Sequence, residues 1–404
     1  MTEASFIAMP ATAVAGPSPI AGRERIDDID VLRGMALCGV CVSNVVEMFR
    51  APWDYRPPGS GPIDDAVGAV MATAFQGNTI TLTFSMMFGL GMAISSGRML
   101  ASGASDHRFL IRKQLILLAI GLAHAILIWN GDILGQYAVV GLLMLPLLGR
   151  GTRTLLVAAL LMAIVFCLPI FPTRAVLPPD EAARQTAHAL DAYANGTWLE
   201  VYVQRIMEWQ GMQRVAVIRW IFGEGMAFCL GMAAWRSGIL REPEKHLRML
   251  RWTAILGVAS LTVLVLRHVD LLPSGRPPSS SFWLRFLYHL AYTELALAYC
   301  AGILLLLRQP LCRRWLLHVA PLGQMNLSNY LMQSVVFAFV FYGYGLGQYG
   351  KWPTAIAAVF AFGFYLLQVV LSAAWLRRFR FGPMEWLWRV MSYGRLQPLR
   401  KEAR

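Results

Sequence analysis

Apolar residues fall in long blocks along this chain, without the half-polar periodicity of a soluble helix or strand. "QLILLAIGLAHAILIW", Gln114 to Trp129, carries no formal charge, and neither does "LLVAALLMAIVFCLPIF", Leu155 to Phe171. Uncharged blocks near the ~20 residues that cross a bilayer predict membrane-spanning helices. Ten spans are predicted, at about 29–49, 73–95, 111–129, 132–148, 154–171, 215–236, 252–268, 283–307, 324–345 and 354–376. The third and fourth are joined only through "NGD", Asn130 to Asp132, which requires a tight antiparallel hairpin. The expected fold is all-α: a polytopic transmembrane bundle over 25–380, after an Ala/Pro/Gly-rich, disordered cytoplasmic tail at 1–24.

Polar punctuation adds two elements outside the spans. One long connection, about 172–214, is expected to form a helix that starts at Asp180 and Glu181 after Pro178 and Pro179. A second amphipathic stretch follows Thr197, with Trp198, Tyr202 and Trp209 suited to an interface. So long a loop reads either as a lid over an outward pocket or as a plain pair of surface helices. Residues 381–404 predict an interfacial helix with a basic tail. Pro383 opens it, Gly394 closes it, and Trp386, Leu387, Trp388, Val390 and Met391 form an apolar face for the cytoplasmic leaflet.

Composition agrees with the pattern: 57% of residues are hydrophobic and only 15% charged, where soluble domains carry about a quarter charged. Charge then orients the bundle. Of 36 Lys and Arg, 24 fall on the segments that share a side with the N-terminus, ten fall on the other side, and Arg33 and Arg219 lie within spans. Cytoplasmic loops collect these residues, so both termini are expected in the cytoplasm. The net charge of +13 therefore needs no nucleic acid as partner; the lipid bilayer is the expected one. Five of the six cysteines lie in spans, poor territory for disulfides. The CxxC spacing of Cys38 and Cys41 lacks a second pair, and no metal site is expected.

Five stretches in order carry a resemblance: "RIDDIDVLRGMALCGVCVSNVVEMF", "FSMMFGLGMAI", "LIWNGDILGQYAVVGLLML", "GQMNLSNYLMQS" and "GPMEWLWRVMSYGRLQPLR". Together they resemble the YeiB-like bacterial inner-membrane proteins, the domain of unknown function 418 group, from about residue 25 to the end. Asp30, Leu32, Arg33, Gly34 and Asn44 satisfy the first motif. The first span resembles, more distantly, that of membrane acyltransferases such as heparan-alpha-glucosaminide N-acetyltransferase. That resemblance implies an acyl-thioester donor on the cytoplasmic side and a small-molecule or glycan acceptor beyond the membrane.

The residues themselves offer several sites. Asp30, Arg33, Asn44 and Glu47 share a ~100° arc of the first span, a polar stripe expected to face the bundle interior. Arg33 reads either as an anchor paired with Asp30 or as a receiver of an anion. His124, near the outer end of the third span, is a candidate base that Asp132 could orient; Asp132 could instead simply cap the next helix. Arg219 and Glu224 lie inside the sixth span. Glu224 replaces the Leu90 of "FGLGMA" in a second hexad, "FGEGMA". Gly223 and Gly225 are expected to let another helix approach it, leaving Glu224 a buried hydrogen-bonding group or part of an intramembrane site. His289, Tyr292 and Glu294 add polarity to the eighth span, and Asn326, Asn329 and Gln333 share one face of the ninth, as helix-to-helix hydrogen-bonding amides would.

Three functions fit this pattern. A membrane acyltransferase would use His124, Asp132 and Glu224 for chemistry, and Arg33, Asn44, Glu47 and Arg219 for binding. A proton-coupled transporter would centre on Glu224 and Arg219. A scaffold would use every buried polar group for packing. The oligomeric state is left open.

Overall fold

The structure, a computed structural model, describes residues 27–49, 55–70, 78–101, 107–168, 178–268 and 281–401; the side chains of 46–49 and 209–219 lie outside the described set. The expected tail at 1–24 falls outside it too. The described residues form fifteen α-helices joined by turns, with one isolated antiparallel bridge, Phe379 to Arg400.

Helix α1 (Asp27–Phe49) is the central post. Asp27, Asp28 and Asp30 in its first turn complement the helix dipole. It packs against α3 (Asn78–Ala101), the short α12 (Ala320–Gln324), α13 (Asn326–Phe341) and α14 (Thr354–Arg378). Val31, Leu37, Cys41 and Val45 are fully buried. Contact with α12 is backbone to backbone, since a Cβ on Gly323 would stand 1.9 Å from Asp30 O.

The two similar hexads lie at a crossing of α3 with α8 (Trp198–Arg236). A Cβ on Gly89 would lie 2.3 Å from Phe228 O, and one on Gly231 would lie 2.0 Å from Met86 O. At Gly223 and Gly225 the approaching helix is α6 (Thr152–Cys167), which comes in through side chains: a Cβ on Gly223 would stand 3.1 Å from the Phe166 ring and one on Gly225 3.0 Å from Met162 Sδ.

Among the described residues, five helices are long and apolar enough to cross a membrane: Thr79–Met99, Arg108–Leu127, Pro243–Arg267, Phe282–Leu306 and Thr354–Arg378. They lie in α3, α4 (His107–Leu127), α9 (Leu247–His268) with the turn before it, α10 (Phe282–Leu306) and α14. Large apolar side chains stand exposed along them, Leu115, Leu122, Ile255, Leu290 and Val359 among others. This is a membrane protein. Helix α5 (Leu134–Leu143) is shorter than expected: ten residues, ~15 Å. Pro146 tightens its continuation into a single 3-10 turn at Leu145–Leu147.

The long connection also differs from expectation. Its first part is helix α7 (Pro179–Asn195), with Asp180 and Glu181 in the first turn. Its second part is not a separate helix. Thr197 and Glu200 form a capping box, and the helix then runs 39 residues through the sixth expected span as α8. At ~58 Å, α8 is about twice as long as the hydrocarbon core of a bilayer is thick. Helix α7 and the segment 342–349 lie over its first turns. Tyr193 stacks on Tyr342 and Tyr349 at 5.1 and 4.7 Å, and Gly343 N donates to Tyr193 O.

At the opposite end, α15 (Pro383–Tyr393) starts on Pro383 and ends on the left-handed Gly394, φ +67°. It is docked against protein. Trp388 Nε1 donates to Lys113 O, and the Glu385 carboxylate accepts from Leu327 N, Ser328 N and Ser328 Oγ. The remaining short helices are α2 (Pro62–Val70) and α11 (Pro310–Leu316).

Candidate active site

The α4–α5 hairpin closes on glycine. A Cβ on Gly121 would meet Gly135 N at 2.3 Å and Asp132 Oδ2 at 2.7 Å, so only glycine lets the two helices meet here. That approach brings Asp132, in the turn, beside His124, one turn before the end of α4. His124 Nδ1 lies 2.8 Å from Asp132 Oδ1, and Gly135 N donates to Asp132 Oδ2 at 2.7 Å. Capping and orienting are therefore simultaneous, one oxygen for each. The side chains are 1% and 4% exposed. An ionised carboxylate only accepts, so a hydrogen bond of this pair places a proton on Nδ1. Nε2 is buried and has no hydrogen-bond partner. The Tyr330 ring of α13 stands 5.3 Å from the imidazole, and its hydroxyl accepts from Ile133 N.

Beside this pair lies a cavity of about 60 Å³, lined among others by Ser43, Asn44, Thr81, Gly131, Ile133 and Tyr137. It has room for a few waters or a small acyl group. Asn44, predicted from the stripe on α1, is buried and its Nδ2 has no partner. Tyr137 is fully buried; its hydroxyl accepts from Ser85 Oγ and donates to Thr81 O. It lies within Coulombic range of both Asp132 and Glu224. Glu224 is 4% exposed, and its Oε2 is buried without a partner. The structure thus gathers His124, Asp132 and Asn44, and brings Glu224 to the same region through Tyr137.

Arg33 is elsewhere. Its guanidinium lies 3.5 Å from Asp30, the expected pair. It rests against Gly91 of α3, and one turn along α3 Ser95 accepts from Lys113 Nζ at 3.0 Å. Lys113 stands over the Trp388 ring at 4.8 Å, within Coulombic range of Arg33 and Arg389. Arg33 and Asn44 are eleven residues apart on α1, ~16 Å. Glu47 and Arg219 have side chains outside the described set.

Two groups at the site carried little signal in the sequence. Tyr330 sits in an ordinary apolar run. Arg205 sits in the long connection among other surface charges, yet it is the largest fully buried side chain. Only its place on the apolar face of α8, with Val201, hints at that. Elsewhere, His289 is buried against Phe166 at 4.3 Å. Asn329 and Gln333 bond across to Ser372 and Gln368 of α14, as helix-packing amides do.

The family described as "protein of unknown function (DUF418)" matches residues 234–395. A Bacillus subtilis protein described as uncharacterized protein YxaH is 30% identical, over 96% of this chain and 98% of its own length. The chain belongs to the YeiB-like DUF418 family. YeiB of Escherichia coli, also described as uncharacterized, is 25% identical over 91% of this chain and 96% of its own. An uncharacterized 39.9 kDa protein encoded 3′ of an amylase in Bacillus acidopullulyticus is 27% identical over 95% of this chain. Within the DUF418 match lie α9 to α15. His124, Asp132 and Glu224 precede it, in the part that the full-length relatives cover.

Proposed function

We propose that this DUF418 protein is a bacterial inner-membrane acyltransferase whose base is His124. The observation that carries the reading is the buried His124–Asp132 pair, with Nε2 unpartnered and a small cavity lined by the residues on either side of Asp132. About ten spans, both termini in the cytoplasm and α15 at the cytoplasmic interface complete the proposal. The 24 to 10 distribution of Lys and Arg supports it. The hairpin end then faces outward and the Arg33 end inward.

In this reading an acyl thioester approaches from the cytoplasm. Arg33, with Lys113 and Arg389, receives its anionic part, as planar and ammonium cations suit. The acceptor, a hydroxyl or amine, enters from the outer side. His124 Nε2 takes the acceptor's proton as its oxygen or nitrogen attacks the thioester carbonyl. The acyl–acceptor bond forms, the C–S bond breaks, and the departing thiolate takes the proton back. Asp132 holds the imidazole and stabilises its charged form. Tyr137 and Asn44 line the space where the carbonyl would sit.

The test is thiol release from acetyl-coenzyme A by purified protein in vesicles, with and without a bacterial envelope extract as acceptor source. Wild type releases thiol with extract, and His124→Ala does not. Equal release by both proteins, or none by either, rejects the reading. Orientation is checked separately: a cysteine at Asn195 reacts with an impermeant thiol reagent added outside cells, and one at Glu242 does not.

A proton-coupled transporter is the second reading. Glu224, buried at mid-helix with an unpartnered oxygen, favours it.

A further inference from the structure

Arg205 is 1% exposed, two turns into α8. Its guanidinium stays charged at any physiological pH. Nε donates to Val201 O and Nη1 donates to Ile128 O, while Nη2 is buried with no partner. The Tyr342 ring lies 5.9 Å away. Among the described residues no carboxylate forms an ion pair with it. The nearby Glu208 is committed elsewhere: Tyr193 OH donates to its Oε2 at 2.7 Å and Gln204 Nε2 to its Oε1 at 2.9 Å. A clamp between α8 and the hairpin uses only two of the three nitrogens, and carbonyl dipoles do not balance a full charge. Glu208 offsets the charge only from a distance, so a buried guanidinium edge without a bonded partner stays unfavourable, and an oxyanion removes that penalty by pairing with it.

Position says which oxyanion. Ile128 lies one turn after His124 on α4, ~6 Å along the axis. Asn130, whose Nδ2 reaches Arg205 O at 3.4 Å, is two residues before Asp132. We propose that Arg205 binds a carboxylate or phosphate group carried by the acceptor, holding its hydroxyl or amine toward His124. This rests on the transfer reading for the acceptor's identity, though anion binding itself does not. The oxyanion comes either from a water-soluble acid or from an anionic lipid headgroup at the same interface. Tyr342 covers the guanidinium, so binding requires the 342–349 segment to lift.

The test uses purified full-length protein in phosphatidylcholine nanodiscs. Melting temperature is followed against inorganic phosphate and against acetate, with chloride holding ionic strength constant. A second arm uses discs containing phosphatidylglycerol and no added oxyanion. A rise in the first arm assigns a soluble oxyanion, and a rise only in the second assigns a headgroup. Arg205→Gln weakens the responding ligand's apparent affinity at least about tenfold, and Arg184→Gln, at an exposed position of α7, leaves it unchanged. No response in either arm, or an undiminished response in Arg205→Gln, overturns the proposal. Where Arg205→Gln does not fold, Arg205→Lys keeps a cation at this place without the planar fork. It is expected to weaken the response at least several-fold, and a wild-type response in that variant also overturns the proposal. Anion binding that persists without any thiol release would reject the transferase reading alone.

Discussion

His124 and Asp132 are eight positions apart in the chain and 2.8 Å apart in space, held across a hairpin whose helices touch at Gly121 and Gly135. The same carboxylate caps α5 through Gly135 N. Hairpin closure and histidine orientation are therefore one structural event: whatever closes the hairpin also fixes which imidazole nitrogen meets Asp132.

Asp132→Asn separates the two tasks. Its side-chain oxygen can still accept from Gly135 N, but its amide donates toward His124 and turns the proton onto Nε2. Thiol release is expected to fall by ~10²-fold or more, with melting near wild type. Asp132→Ala loses the cap as well and should melt lower, by about 1 kcal/mol of stability. Asp132→Asn acting at the wild-type rate with an unchanged pH profile would remove the orienting role.

The membrane character and the family were legible because both are written in contiguous residues: uncharged blocks, and five ordered motifs. His124 and Asp132 were legible for the same reason, since a three-residue turn leaves them nowhere else to be. The extent of α8 was not. Its amphipathic start and its apolar continuation read as two elements, and only the absence of a breaker between Thr197 and Arg236 joins them. Arg205 was hidden because burial depends on what α7 and the 342–349 segment place above it, contacts more than a hundred residues distant in the second case. Which glycines meet a backbone was hidden for a related reason. "FGLGMA" and "FGEGMA" show that close packing occurs, while which glycine faces a backbone depends on the crossing point of α3 and α8.

That crossing gives a stability prediction. Gly231→Ala would put a Cβ 2.0 Å from Met86 O, a backbone atom that cannot swing aside. A loss of about 1–3 kcal/mol is expected, read as an earlier unfolding midpoint in a denaturing-detergent titration. Gly223→Ala should cost less, because its Cβ would meet only the Phe166 ring, at 3.1 Å. The reverse ranking would show that the hexads pack as the sequence alone suggested.

Docking of α15 should depend on pH. Burial raises the Glu385 carboxyl above its ordinary value of 4.5, partly offset by the hydrogen bonds from Ser328 and Leu327. A raised value in the docked state means that proton binding favours docking. The contribution is fully present below 4.5 and is lost as pH rises through the raised value. Hydrogen exchange of α15 amides, corrected for intrinsic rates, should therefore quicken from mildly acidic toward neutral pH. Glu385→Gln keeps an acceptor for the two backbone N–H groups and should flatten the profile. A wild-type profile already flat, or one that slows, would assign the docking to other contacts.

The last prediction concerns Glu224. Its hexad twin has Leu90 at the same place, 1% exposed, so an acid is not needed for helix packing there. A carboxyl inside an apolar span costs at least ~2.5 kcal/mol on insertion scales, and Oε2 recovers none of it through a hydrogen bond. Tyr137, which lines the cavity, lies within electrostatic reach of it. Glu224→Gln keeps the shape and removes titration, and Glu224→Leu makes the two hexads identical. For a transferase in which Glu224 only shapes the site, Gln retains thiol release within about threefold. For a proton-coupled carrier, Gln abolishes pH-gradient-driven uptake into vesicles while leaving abundance normal. Leu should raise the melting temperature in either case, because it fills the same space without a buried unpaired oxygen. If Leu instead lowers it, the carboxyl has a structural partner in the folded protein, and neither functional reading of Glu224 survives.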